Sequence, residues 1–276
     1  MNEHKDIPMI GYTDAKGVYE LREFLCGSPS FGLFAAWDDT GNRYLATTTL
    51  RQTESHADLY RKLMFDVEGI VPLLYIGQLH SDQPTGFDLM IEQMPMGMPS
   101  HQRDKGIAEV ATVAHLGAAI AVILERLHAQ QRYLLSLRPQ SIYLTTDRKS
   151  GIQLTGLVPR SDRFYFSAEK ADATTTLAFD DTYVAPEVWL GLEPDNAADV
   201  FSLCAVMAFW LRGRSPFNGN GYMGHAKAIM GNKRAYLLPA DELGLLLESG
   251  LDSEASNRPN ITELRNSLQT IADNAY

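Results

Sequence analysis

The segment DTYVAPEVWLG (Asp181–Gly191), with ADVFSLCAVMAFWLRGRSPF (Ala198–Phe217) close behind it, decides how this chain is read. Within the second segment, Val200–Leu211 is an uncharged apolar run. It falls short of the roughly 20 residues a bilayer helix needs and reads as a buried core helix. The same holds for AHLGAAIAVIL (Ala114–Leu124). Around that run Val110, Val113, Gly117, Ile120, Leu124 and Leu127 recur every three or four residues, which predicts one long buried helix ending near His128. Further helices are predicted over Asp199–Arg212, Gly221–Met230, Asp241–Leu251 and Ile261–Ala272. SIYLTT and IQLTGLV, on either side of a turn at Arg148–Gly151, read as short strands.

Upstream the pattern changes. YELREFLCG (Tyr19–Gly27), FGLFAAWDD and NRYLATTTL carry β-branched and aromatic residues, and a Thr-Gly-Asn turn within Asp38–Arg43 joins the last two as a hairpin. VPLLYIGQL and GFDLMIEQM have the same strand-like composition. Between them and the hairpin, ESHADLYRKLMFDV places Leu59, Leu63, Met64 and Val67 at helical spacing. A small β-rich part with one helix, followed by a larger helical part with short strands, is an α+β architecture of two lobes.

Composition narrows the function. With 276 residues, 45% hydrophobic and 21% charged, the chain can bury a core without disulfides. Cys26 and Cys204 form no CxxC spacing, which argues against structural zinc or a disulfide framework and fits a reducing cytosol. A net charge of -10 argues against nucleic-acid backbone binding, which rests on clustered Lys and Arg. The opening MNEHKDIPMI has no apolar stretch of the secretory kind, so no export signal is expected. Neither a membrane span nor a cofactor is expected, and a cytoplasmic location is.

In order along the chain, several motifs resemble those of the eukaryotic-type Ser/Thr protein kinase domain. Ala185, Pro186 and Glu187 look like the family's APE segment. Asp199, Ser202, Gly213, Pro216 and Phe217 match the helix that follows it, with Phe201 in place of the usual Trp and Cys204 in place of a Gly. NRPNITEL (Asn257–Leu264) resembles the late R-P motif, and LHAQQRYLLSLRPQSIYL (Leu127–Leu144) has the order of the catalytic-loop region. The resemblance implies a protein kinase-like two-lobed fold in one domain over residues 1–276, with an N-lobe of about 12–94 and a C-lobe of about 95–276. It also implies structural roles for Glu187, Arg258 and Asp199: a buried ion pair for the first two, and acceptance of catalytic-loop backbone hydrogen bonds for the third. The compact chain and its APE-to-R-P spacing suggest a bacterial relative of these kinases.

The positions that carry phosphoryl transfer in the family read differently. That reaction needs cations on the phosphates, oxygen ligands for Mg²⁺ and a carboxylate to orient the acceptor. Aligning LATTTL with the family's V-A-I-K strand puts Thr48 at the lysine. Ser136 stands at the catalytic aspartate, Ser141 at the metal-binding asparagine and Gly156 at the D-F-G aspartate. Lys62, on the helix, is the nearest alternative lysine, the family's helix glutamate maps near Asp58, and Asp162, the conceivable substitute for the D-F-G aspartate, reads as a solvated loop charge. Asp180 stands at a threonine position ahead of APE. The cleft positions Gly27, Gly32, Ala46, Ile91 and Met94 read as vestigial, with Pro29 in place of the middle glycine of the phosphate loop. Met90–Met98 maps onto the hinge. The histidines do not cluster at metal spacing, and Thr174–Thr176 read as a polar loop open to modification.

The expectation is therefore a pseudokinase and not an enzyme: a binding, scaffold or allosteric protein with a protein partner. Its contacts are expected on the helical lobe, the activation segment or the helix near Leu59–Met64. Two alternatives stay open. One is a nucleotide-responsive form that binds ATP weakly without metal; the other is a kinase-fold enzyme with unorthodox transfer chemistry.

Overall fold

The computed structural model describes residues 11–14, 17–28, 31–50, 64–79, 87–102, 109–135, 137–145, 151–155, 181–190, 192–193, 195–219 and 221–275. Its N-terminal part is an antiparallel six-stranded sheet of β1 (Gly11–Asp14), β2 (Gly17–Ser28), β3 (Phe31–Trp37), β4 (Arg43–Leu50), β5 (Leu73–Leu79) and β6 (Phe87–Gln93). The strand order is β1-β2-β3-β4-β6-β5. The hairpin from β3 to β4 is set by Asp38, whose carboxylate accepts hydrogen bonds from the backbone N–H groups of Thr40 and Asn42, from their side chains and from Tyr44 Oη. Side chains alternate across a strand, and β4 is buried on both faces: Leu45 and Thr47 on one, Ala46 and Thr48 on the other. Register places Phe34, Ala46 and Ile91 side by side across β3, β4 and β6, with Gly32, Thr48 and Leu89 in the next row.

The helical part is built around α1 (Val110–His128) and α3 (Asn196–Arg212), with α2 (Pro186–Trp189), α4 (Gly221–Met230), α5 (Glu242–Gly250) and α6 (Ile261–Asn274) packed around them. Gly117 in mid-helix marks a close crossing, since a Cβ there would run into the Met207 thioether of α3 and Leu268 of α6. α3 starts where the Asp195 carboxylate accepts from Ala197 N and stops at Gly213, whose φ of 68° suits glycine. Asn260 and Glu263 cap α6 reciprocally. Trp189, Trp210, Phe201 and Phe217 are fully buried, the last two stacked at 5.5 Å. A small sheet of β7 (Met98–Pro99), β8 (Ile142–Leu144) and β9 (Ile152–Leu154) sits between the two parts. Leu154 N donates to Gly69 O, and Leu154 O accepts from Val71 N.

This is an α+β arrangement compatible with a kinase-like fold of two lobes. It departs from the sequence reading in four places. β1 adds a strand that the sequence reading lacks. Of the helix read over Glu54–Val67, residues 54–63 lie outside the described residues, and Met64–Val67 is irregular. α3 begins three residues before Asp199, because the cap falls at Asp195. At 19 residues, α1 has the length and apolarity of a bilayer-crossing helix, which the sequence reading denied it. Its apolar stripe, from Val113 to Leu127, is spent inside the protein on α3 and α6.

Candidate functional site

Two polar assemblies occupy the positions singled out in the sequence. The first lies beneath the loop Leu134–Ser141. Asp199, in the first turn of α3, is fully buried, and its carboxylate accepts from Leu134 N at 2.9 Å and Leu135 N at 2.8 Å. A third partner is His128 Nε2, 2.9 Å away at the end of α1. Leu135 has φ 54°, in the left-handed region that costs a bulky residue roughly 1–2 kcal/mol. A hydrogen bond to a charged acceptor is worth about 1.5–3 kcal/mol, enough to hold that conformation. The loop continues through buried Leu137 and Arg138 into a short turn, Pro139–Ser141. There Ser141 Oγ donates to Arg138 O at 2.9 Å and accepts from Arg138 N at 3.1 Å. Ser100 Oγ donates to Pro139 O at 2.7 Å.

Below this loop Glu187 and Arg258 form a bidentate pair, Nη1 to Oε1 at 2.7 Å and Nη2 to Oε2 at 2.9 Å. The Arg258 side chain is 0% exposed and that of Glu187 13%. Arg258 also donates to Asp252 O and Ala197 O and lies over the Phe201 ring at 5.0 Å. The guanidinium therefore ties α2, α3 and the turn before α6 into one unit.

The second assembly is in the sheet. Thr48 is 5% exposed, and its hydroxyl donates to Gly32 O at 3.4 Å. Gly32 is required there, since a Cβ would meet both Thr48 Oγ1 and the Phe34 ring. Gly27 pairs with Gly32 across β2 and β3. Ala46 and Ile91 are fully buried in the adjacent row, and Met94 follows β6, partly buried. The structure thus groups Thr48, Gly32, Ala46 and Ile91 on one sheet face, and Asp199, His128 and the loop backbone under the other lobe. Ser136, Gly156, Asp58, Lys62, Asp162, Thr174–Thr176 and Asp180 lie outside the described residues.

Sequence reasoning passed over two buried carboxylates. Asp88 and Glu92 sit four residues apart on β6, so they share the face opposite Ile91, and each has an interaction partner. The signal was available: two acidic residues framing Leu89–Ile91 in an otherwise apolar strand. Cys204 carries no chemistry at neutral pH, because burial pushes its thiol up to about 12. Among the described residues no group of three or more His, Cys, Asp or Glu side chains is placed to hold a metal ion.

No family model matches the chain. Among curated proteins it is similar to two human ones: PRKY, whose name assigns it to the serine/threonine-protein kinases, and the cAMP-dependent protein kinase catalytic subunit PRKX. Each is 29% identical over 146 residues, 52% of this chain. The match spans 50% of PRKY and 38% of PRKX, so the chain is matched to half or less of each relative. These similarities and the α+β arrangement support a protein kinase-like domain. They also correct one expectation. The chain was expected not to be an enzyme, yet both relatives are named as kinases, one as a catalytic subunit. The substituted positions do not outweigh that finding, and inactivity is not retained.

Proposed function

We propose that this chain is a single protein kinase-like domain whose role is carried by binding: a cytoplasmic scaffold or allosteric regulator of a protein partner. The observation that carries the reading is the contrast between the two assemblies. Asp199 holds the backbone of the loop, and the Glu187–Arg258 pair ties together the helices of the same part. At two positions where the family places phosphate and metal contacts, the side chains are neutral and spend their hydroxyls inside the fold. Ser141 bonds the Arg138 backbone, and Thr48 bonds Gly32 O. Such a role is compatible with phosphoryl transfer by the same chain and does not require its absence. The test is affinity capture with the unchanged chain and with Ala46→Phe, which adds a ring at the fully buried Ala46 of the Phe34–Ala46–Ile91 row of the sheet, compared once circular dichroism shows both to be folded. The same protein should be retained in equal yield by both. Retention that is lost in Ala46→Phe, or no protein retained above a bead control, would contradict the reading.

A second reading, nucleotide binding without metal, is favoured by the apolar row Phe34–Ala46–Ile91 beside the Gly27–Gly32 pair. Thermal melts with ATP, with and without Mg²⁺, test it. A rise of several degrees independent of Mg²⁺ supports it, and no rise contradicts it.

A further inference from the structure

The run MPMGMP (Met94–Pro99) leaves β6 and enters β7, and its methionines recur at every second residue. The ordinary use of a methionine is to fill a core, as Met90 does on β6. Met96 and Met98 do the opposite: they are 57% and 51% exposed, with Met94 partly buried beside them. The backbone that carries them is nonetheless fixed. Met96 N donates to Gln153 Oε1 at 2.7 Å, and Met98 pairs with Leu144 in the small sheet. Between them Gly97 has φ 93°, and the Leu144 carbonyl oxygen fills the place a Cβ would need, so only glycine fits. Two thioethers are thus held out in solvent on a rigid bend, with a third two residues upstream.

Residues i and i+2 place their α-carbons no more than about 7 Å apart. Unbranched side chains with three rotatable bonds can close that distance on a shared ion. A thioether sulfur is a soft, neutral donor. Hard cations such as Ca²⁺ and Mg²⁺ take oxygen ligands, zinc takes thiolate, imidazole or carboxylate, and Cu(I) takes thioethers. Three residues past Met98 in sequence lies His101, whose Nδ1 is shielded from solvent and has no hydrogen-bond partner among the described residues.

We propose that Met94, Met96 and Met98 form a soft-metal site for Cu(I) at the junction of the sheet and the helical part. It involves no redox step and is independent of the binding role above.

The test is anaerobic titration of the full chain with Cu(I) against a bicinchoninate indicator, in a Cys26→Ser background so that this thiol does not compete. One equivalent should be withdrawn from the indicator, with a sulfur-dominated first shell by X-ray absorption. The volume-conserving variant M94L/M96L/M98L should lower the affinity by at least roughly 10- to 100-fold, and its unchanged melting temperature shows that the fold survives. His101→Gln should weaken uptake less than the methionine changes. The assignment is overturned by no uptake, by uptake that persists in the triple leucine variant, or by a loss in His101→Gln as large as in that variant.

Discussion

Beneath the Leu134–Ser141 loop, Asp199 is met by two backbone N–H groups and a histidine, and Arg258 by a carboxylate and backbone carbonyls. In β4, Thr48 is met by one carbonyl at 3.4 Å, the long end of the hydrogen-bond range. Both places are buried, so burial does not separate them. The number and charge of the partners does. A buried charge must be fully partnered and makes its neighbourhood intolerant of change, whereas a buried neutral hydroxyl can lose its single weak bond at little cost. In this molecule the helical part is the constrained one, and the substituted positions of the sheet are the tolerant ones.

Removing one member of the ion pair probes that contrast most strongly. Glu187→Ala leaves Arg258 buried and charged, and should cost about 3–5 kcal/mol in urea unfolding. A loss below about 1 kcal/mol would place the pair among ordinary surface bridges. Next in size is Asp199→Asn, which keeps the shape but sets an amide against the N–H groups of Leu134 and Leu135. A loss of about 2–3 kcal/mol is expected from the same measurement.

Alkaline pH acts on the same helical core. Burial raises the Cys204 thiol from 9.0 to about 12 in the folded chain. A group whose folded pKa is raised contributes stability that is whole below the unfolded value and lost as pH climbs through the folded one. The window is therefore pH 9 to 12, with a slope of up to about 1.4 kcal/mol per unit from this group. Burial raises Tyr236 in the same direction. Cys204→Ala should flatten the fall between pH 9 and 11, and an unchanged slope would remove the thiol from the account. The smallest effect belongs to the sheet. Thr48→Val, close in shape, should lower the unfolding free energy by less than about 1 kcal/mol, and a larger loss would erase the contrast.

Much of the helical part was legible in the sequence. Glu187, Asp199 and Arg258 are charged residues set beside apolar runs at family spacing, and helix periodicity located α1, α4 and α6. What they touch was less legible. The left-handed backbone of Leu135 is set by a carboxylate 64 positions away, and no local propensity for leucine announces it. Ser141 was readable as a replacement, but the capture of its hydroxyl by the Arg138 backbone depends on the short turn it closes. β1 is only four residues and exists through its pairing with β2. The extent of α1 was legible from its periodicity, from Val110 to near His128, but its apolarity was judged on the shorter run Ala114–Leu124. The expectation of no enzyme was overturned on other ground: residue replacement at matched positions speaks to one mechanism, while both relatives are named as kinases.

The central claim is that the helical part holds the loop from beneath without help from the cleft face of the sheet. Native-state hydrogen exchange at the Leu134 and Leu135 amides tests it most directly, in the unchanged chain and in Ala46→Phe. In each protein both amides should exchange only through global unfolding, with an opening free energy equal to that protein's own unfolding free energy. An opening free energy at either amide well below the global value, in the unchanged chain or in Ala46→Phe alone, would contradict the account.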